Sequence, residues 1–224
     1  SWHIELDGIS QETALKIAER DDVVSIGAVT IFNPDGELPY RMDGKRVVLY
    51  GIDESYLTMN STGAAEGRFP QGMGEIMLSN AARVLQVAVG DTVTLRTPSG
   101  DWDFTVSGLG GVEESYYSGQ YSLMDAYLPR TAFAALMEQN NVHNLQTSYY
   151  VQFTSASKAA KAIPELTAQH NLPENAVSEN TGVMAIAGHS DSSAAKNVYS
   201  LAAVLFVLVL LAGVLMISGS MNSN

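Results

Sequence analysis

The sequence predicts an α+β fold, in which an α/β layer is interrupted by an inserted β-rich unit and followed by an apolar helix at the C-terminal end. Three observations predict it. Helix and strand patterns alternate in residues 1–44 and again in 113–190, and the residues between them, 45–112, carry short strands and a clear hairpin. An order of α/β, then β, then α/β is what an insertion into a layer produces. Residues 198–218 form an apolar run of the length a membrane helix needs.

Trp2 to Leu6 reads as a short strand. Ser10 has the chemistry of an N-cap, and a helix is expected through about Arg20 with Ala14, Leu15, Ile17 and Ala18 inward. Val23 to Ile31 reads as a strand, closed by Asn33-Pro34-Asp35-Gly36, where Pro fixes one φ and Gly permits a positive one.

In the middle stretch, Arg46 to Ile52 is a buried-type strand and Glu75 to Leu78 a short one, followed by a brief helix over about Asn80 to Leu85. Asp91 to Thr97 and Trp102 to Leu109 form a hairpin through Pro98-Ser99-Gly100-Asp101. Val93 and Leu95 share one face of its first arm, and Trp102, Phe104 and Val106 one face of the second. The Gly-rich Ser107-Gly108-Leu109-Gly110-Gly111 reads as a tight crossover leaving the hairpin.

The third stretch begins with a strand from Asp125 to Leu128 and a helix over Thr131 to Gln139. A strand over Ser148 to Thr154 then leads to a helix capped by Ser155 or Ser157 and reaching His170, with Ala159, Ala162, Ile163 and Leu166 inward. Pro164 is expected to kink or restart that helix. Asn175 to Ser178 is a candidate last strand, and Ala185 to Asn197 a linker or the base of the next helix.

From Leu201 to Ile217 every residue is apolar apart from one Gly. With Val198, Tyr199 and Ser200 the run spans about 30 Å as a helix, close to the hydrocarbon thickness of a bilayer. Tyr199 sits where an interfacial aromatic belongs. A buried helix of a soluble protein is usually shorter and keeps a polar face. The sequence opens at Ser1 without a signal peptide, so a portion of a longer chain is expected.

The 224 residues are 46% hydrophobic and 16% charged, a composition that buries a core. The net charge of −12, with no basic cluster, gives no attraction for nucleic acid. The chain has no cysteine, which removes disulfides, thiol catalysis and cysteine-held metals together.

No phosphate-cradling P-loop and no Gly-x-Ser-x-Gly elbow occurs. His3, His143, His170 and His189 stand at no metal-ligand spacing and read as surface or loop residues. Asp53-Glu54 and Glu113-Glu114 read as solvated faces. No catalytic, cofactor or metal residues are assigned. Tyr116, Tyr117 and Tyr121 cluster between two units, and Tyr combines apolar area with a polar tip. They either cover a seam or form a partner interface.

Several short motifs follow one another in a telling order. They are Arg46-Val47-Val48-Leu49-Tyr50-Gly51-Ile52-Asp53, Gly67-Arg68-Phe69-Pro70, Gly74-Glu75-Ile76-Met77-Leu78-Ser79, Val89-Gly90-Asp91-Thr92-Val93, Phe104-Thr105-Val106-Ser107-Gly108 and Tyr127-Leu128-Pro129. In this order, ahead of a terminal membrane helix, they resemble the extracytoplasmic domain of the FtsX/MacB-like ABC transporter permeases. The resemblance implies a porter-like α/β subdomain (1–44 and 113–190) with an inserted, sabre-like β-rich subdomain (45–112), and a transmembrane helix over 198–218.

It also implies a non-catalytic part of a permease in a cell membrane, its soluble domain extracytoplasmic. An ATP-binding subunit would be the partner, in a homodimer or paired permease, with export of a peptide, lipid or lipoprotein, or mechanotransmission, as the output. The alternative is a single-span membrane-anchored extracytoplasmic hydrolase or binding protein, which would need a deep pocket with converging polar groups.

Overall fold

The computed structural model describes residues 1–60, 63–79, 82, 85–110, 123–173, 175–186 and 206. Its first part comprises β1 (Ile4–Leu6), α1 (Gln11–Ala18), β2 (Val23–Phe32), β3 (Arg41–Met42), β4 (Lys45–Ile52), α2 (Glu54–Met59), β5 (Ala64–Gly67) and β6 (Glu75–Leu78). There follow β7 (Thr92–Thr97), β8 (Gly100–Gly110), β9 (Leu123–Pro129), α3 (Arg130–Gln139), β10 (Thr147–Phe153), α4 (Ala156–His170), β11 (Val177–Glu179) and α5 (Thr181–Ile186).

The layer has the strand order β11-β1-β10-β2. β10 lies antiparallel between β1 and β2, so the β1-α1-β2 crossover passes over it. β1 in turn separates β10 from β11, which α4 connects. Two such split β-α-β units make a ferredoxin-like layer. α1 and α4 cover one face, burying Ile4, Leu6, Ile17, Val151, Phe153 and Leu166 among them.

Ser10 caps α1, its Oγ accepting from the Thr13 N–H at 3.1 Å. Ala14 and Ile17 are buried as expected, but Leu15 is 58% exposed, because at about 100° per residue it points about 100° from Ala14 and about 160° from Ile17. Ser155, not Ser157, caps α4. The helix does not restart at Pro164 but runs unbroken from Ala156 to His170. Pro164 is exposed, so its ring lies on the solvent side of α4, away from the packed face. Asn171, in the left-handed region at φ 48°, ends the helix.

β4 connects this layer to a second structure. One edge of β4 pairs with β2 over Leu49–Ile52 and with β3 over 45–46. The other edge pairs with β9 in parallel from Arg46↔Leu123 to Ile52↔Pro129. Pairings then run from β3 to β7, β8, β6 and β9 and so return to β4, closing a barrel-like ring. β9 follows residue 113 in sequence, yet both its partners lie in 45–112. Phe104, Leu95, Val106, Ile76, Leu49 and Leu128 are in the ring's core, with the apolar side of α3 closing one end.

The hairpin of β7 and β8 forms as predicted, with Val93↔Phe104 and Leu95↔Trp102 in register on the inner face. The Gly-rich run after it is not a crossover. It is the end of β8, where a Cβ at Gly108 would stand 2.5 Å from the Arg68 carbonyl oxygen, so glycine lets β5 pair closely. β3, β5, α2 and α5 are additional elements, α5 overlapping the start of the expected linker. The short helix expected over 80–85 falls largely outside the described residues.

Glu75 starts β6 and holds the preceding turn. It takes a two-pronged bond from Arg68 and accepts from the Gln71 N–H at 2.8 Å. Arg68 first, then those backbone donors, holds its carboxyl at about 2, below the ordinary 4.5. A depressed carboxyl stabilises fully above its unfolded value and loses that contribution as pH falls toward the folded one. Glu75→Gln is therefore expected to be less stable than the parent at pH 6, the gap narrowing between pH 4.5 and 2. Parallel acid-unfolding curves check this, and a gap that widens in that window would count against the pairing. The pair is surface-lying, so the effect is small.

A third cluster sits where layer and ring meet. α2 packs Tyr56 and Leu57 against Val29 of β2, Ile52 of β4, Met77 of β6 and Tyr127 of β9. The ring's own core makes a second such junction, since Phe32 of β2 packs there with Leu78 of β6, Leu128 of β9 and the apolar side of α3.

Candidate functional site

Strand alternation sends Tyr149, Val151 and Phe153 of β10 inward toward α1 and α4, and Tyr150 to the opposite face. There the Tyr150 hydroxyl donates to Glu5 Oε1 at 2.7 Å across the β1–β10 pairing Glu5↔Tyr150. Trp2 and Tyr56 both meet the Tyr150 ring edge-on, with centroids 5.0 and 5.1 Å away. Ser148 donates to Asp7 on the same face. Burial raises the Glu5 pKa, the Tyr150 bond opposing it and Asp7 adding to it. Burial first, and then Glu5, also raises Tyr150. This face presents two carboxylates, each with one oxygen held by a hydroxyl, among packed aromatic rings.

The second feature is a cavity of about 400 Å³ beside α3. Gly51 of β4 forms its back, since a Cβ there would stand 2.5 Å from Phe133 Cγ, and its absence seats α3 on the strand. Thr30 and Thr147, paired across β2 and β10, join their hydroxyls at 2.7 Å on one wall. The loop from α3 to β10 supplies another wall, with Asn141 and Asn144 in the left-handed region at φ 55° and 61°. Arg130, the first residue of α3, also lines the cavity, and its Nη1 is shielded from solvent with no hydrogen-bond partner.

Asp53 lies near that guanidinium. Burial raises its carboxyl, Arg130 lowers it, and the Ala28 N–H donates to Oδ2 at 3.1 Å. Asp53 is thus a half-buried residue at the start of α2, not part of a solvated face. His3 likewise departs from the surface reading. It is buried, its Nδ1 accepts from the Phe153 N–H at 3.0 Å, and burial lowers its pKa. His143 is exposed in the α3–β10 loop, 2.9 Å from Asn141 Oδ1. Among the described residues no group of three or more His, Asp or Glu side chains converges as a metal site. Glu113, Glu114, His189, Tyr116, Tyr117 and Tyr121 lie outside the described residues.

Residues 4–169 match the model of the MacB-like periplasmic core domain. The chain belongs to that family. Two solved structures show the same fold as this MacB-like core domain. The periplasmic region of MacB from Actinobacillus actinomycetemcomitans is 14% identical with a TM-score of 0.57, covering 85% of this chain and 94% of that one. The extracellular domain of the noncanonic ABC-type transporter YknZ from Gram-positive bacteria is 16% identical with a TM-score of 0.54, covering 80% and 98%. A search of curated protein sequences finds no match.

The motifs that resembled the family have structural duties in this core domain. Gly51 clears Phe133, Asp53 accepts from Ala28, and Glu75 holds Arg68. In Val89-Gly90-Asp91, Gly90 has φ 96° and Asp91 Oδ2 accepts from the Ala88 N–H at 2.9 Å. Glu5, Trp2, Tyr150 and Arg130 were not singled out from the sequence. The alternation in β10 carried a signal for Tyr150. Nothing local marked Arg130, whose setting depends on β2, β4 and β10.

Among the described residues no helix is long and apolar enough to cross a membrane. The expected membrane helix over 198–218 lies outside the described residues apart from Phe206.

Proposed function

We propose that this MacB-like core domain is the extracytoplasmic part of an ABC-type transporter permease. It acts without catalysis of its own, coupling ATP hydrolysis by a partner subunit to export or mechanotransmission. The match over residues 4–169 carries this reading, and a shared fold with the MacB and YknZ domains supports it. Residues 1–44 with 113–190 act as the porter-like unit, 45–112 as the insert, and 198–218 as a membrane helix that moves the layer. The permease works as a homodimer or pair with an ATP-binding subunit, on a peptide, lipid or lipoprotein substrate. Tyr116, Tyr117 and Tyr121 are the proposed partner contacts.

Affinity purification of the full-length permease from its native membrane tests this. An ATP-hydrolysing subunit is expected to co-purify, with turnover that changes several-fold on adding a peptide, lipid or lipoprotein substrate. A permease that brings down no ATPase, or whose ATPase ignores all three substrate classes, overturns the reading.

A further inference from the structure

The cavity beside α3 carries an assignment of its own, independent of how the domain is driven. We propose that it binds a carboxylate joined to a compact apolar group. Its volume of about 400 Å³ suits a small ligand. Phe133 and Met137 on successive turns of α3, with Val142 and Leu145 from the following loop, give it apolar walls. The lining also holds polar groups, the Arg130 guanidinium and the mutually bonded hydroxyls of Thr30 and Thr147.

Arg130 decides the sign of the ligand. A shielded guanidinium nitrogen without an acceptor is costly, because a buried donor forfeits its water without replacement. None of the ion pairs among the described residues includes Arg130. Asp53 lies close enough to feel its charge, but one Asp53 oxygen is already held by Ala28. The carboxylate that lines the cavity is Glu138, which is exposed and about 12 Å along the helix axis from Arg130, beyond a Debye length at physiological salt. A planar guanidinium in a lining that also offers hydroxyls matches a carboxylate, which takes a two-pronged bond. The apolar walls take the group it is attached to. A peptide's C-terminal residue and a short aliphatic acid share that chemistry.

The test uses the 224-residue chain in lipid nanodiscs with methionine methyls labelled with carbon-13. The Met137 methyl reports from the cavity wall, and those of Met42 and Met184 report the fold elsewhere. N-acetyl-leucine and hexanoate are titrated separately, each beside its neutral amide. Saturable movement of the Met137 signal is expected with at least one acid, with the matching amide at least about tenfold weaker. The acid that moves it identifies the source as peptide or aliphatic. Arg130→Gln is expected to weaken binding by about tenfold or more while Met42 and Met184 keep their positions. Equal responses to acid and amide, unchanged binding in Arg130→Gln, or no movement with either acid would overturn the assignment.

Discussion

Phe104→Ala is expected to cost about 3–5 kcal/mol of unfolding free energy, enough to unfold a marginal domain. Phe104 is 1% exposed, faces Val93 across the hairpin and stacks with Trp102 at a centroid distance of 6.1 Å. Its ring fills the centre of a closed set of strands, and closure limits how far any strand can move inward to fill the space left behind. The cavity term therefore stays large. Phe104→Leu keeps most of the volume and is expected to cost less than about 2 kcal/mol. Urea unfolding of both variants decides the point. A cost near 1 kcal/mol for the alanine would mean that the ring collapses around the gap and is looser than its pairing implies.

The hairpin holding Phe104 was legible because alternation is local. Each strand shows its inward face within a few residues, and the two-residue link at Pro98-Ser99 fixes the register. The same holds for α1 and α4, whose caps and apolar spacing lie within single segments. The layer's alternation was visible, but its order was not, since β10 enters between β1 and β2 from far along the chain.

Ring closure was less legible still. Parallel pairing of β4 with β9 joins residues that no local pattern relates. α2 is short and mixed in character, and β5 is mostly exposed, so neither carries a hydrophobic period. His3 was misread because burial of a histidine depends on a distant backbone donor, that of Phe153. The cavity was invisible for the same reason. Its walls come from three strands, one helix and a loop, and of its lining residues the sequence drew notice only to Gly51, for its motif, and to His143, as a loop histidine.

Gly27→Ala has the other large expected effect, and its sign is what makes it informative. Replacing glycine in a strand by alanine ordinarily stabilises by up to about 1 kcal/mol, since the unfolded chain loses freedom. At Gly27 the added Cβ would stand 2.5 Å from the Tyr56 backbone nitrogen and 2.7 Å from its Cα. A side chain can rotate out of such a contact, but backbone cannot, so α2 has to lift from β2. The expected result is a loss of about 1–3 kcal/mol. In a Trp102→Phe background the fluorescence of Trp2 should also shift, because Trp2 packs on Tyr150 and Tyr150 on Tyr56. An alanine variant as stable as the parent, with unchanged emission, would show that α2 is not seated as described.

The same substitution bears on the proposed function. Tyr56 and Leu57 wedge between Val29 of the layer and Met77 and Tyr127 of the ring. On the proposed function, motion of the layer would reach the ring through β4, through Phe32 in the ring's core and through this wedge. β4 alone is a single strand that can twist, whereas a helix packed on both sides resists a change of angle. If the domain passes movement from a membrane helix to its outer unit, lifting α2 should reduce coupling more than it reduces folding. In the full-length permease, Gly27→Ala is then expected to lower substrate-stimulated ATPase several-fold at a temperature where the domain is still folded. Stimulation equal to the parent's under those conditions would assign transmission to β4 and leave α2 a packing role.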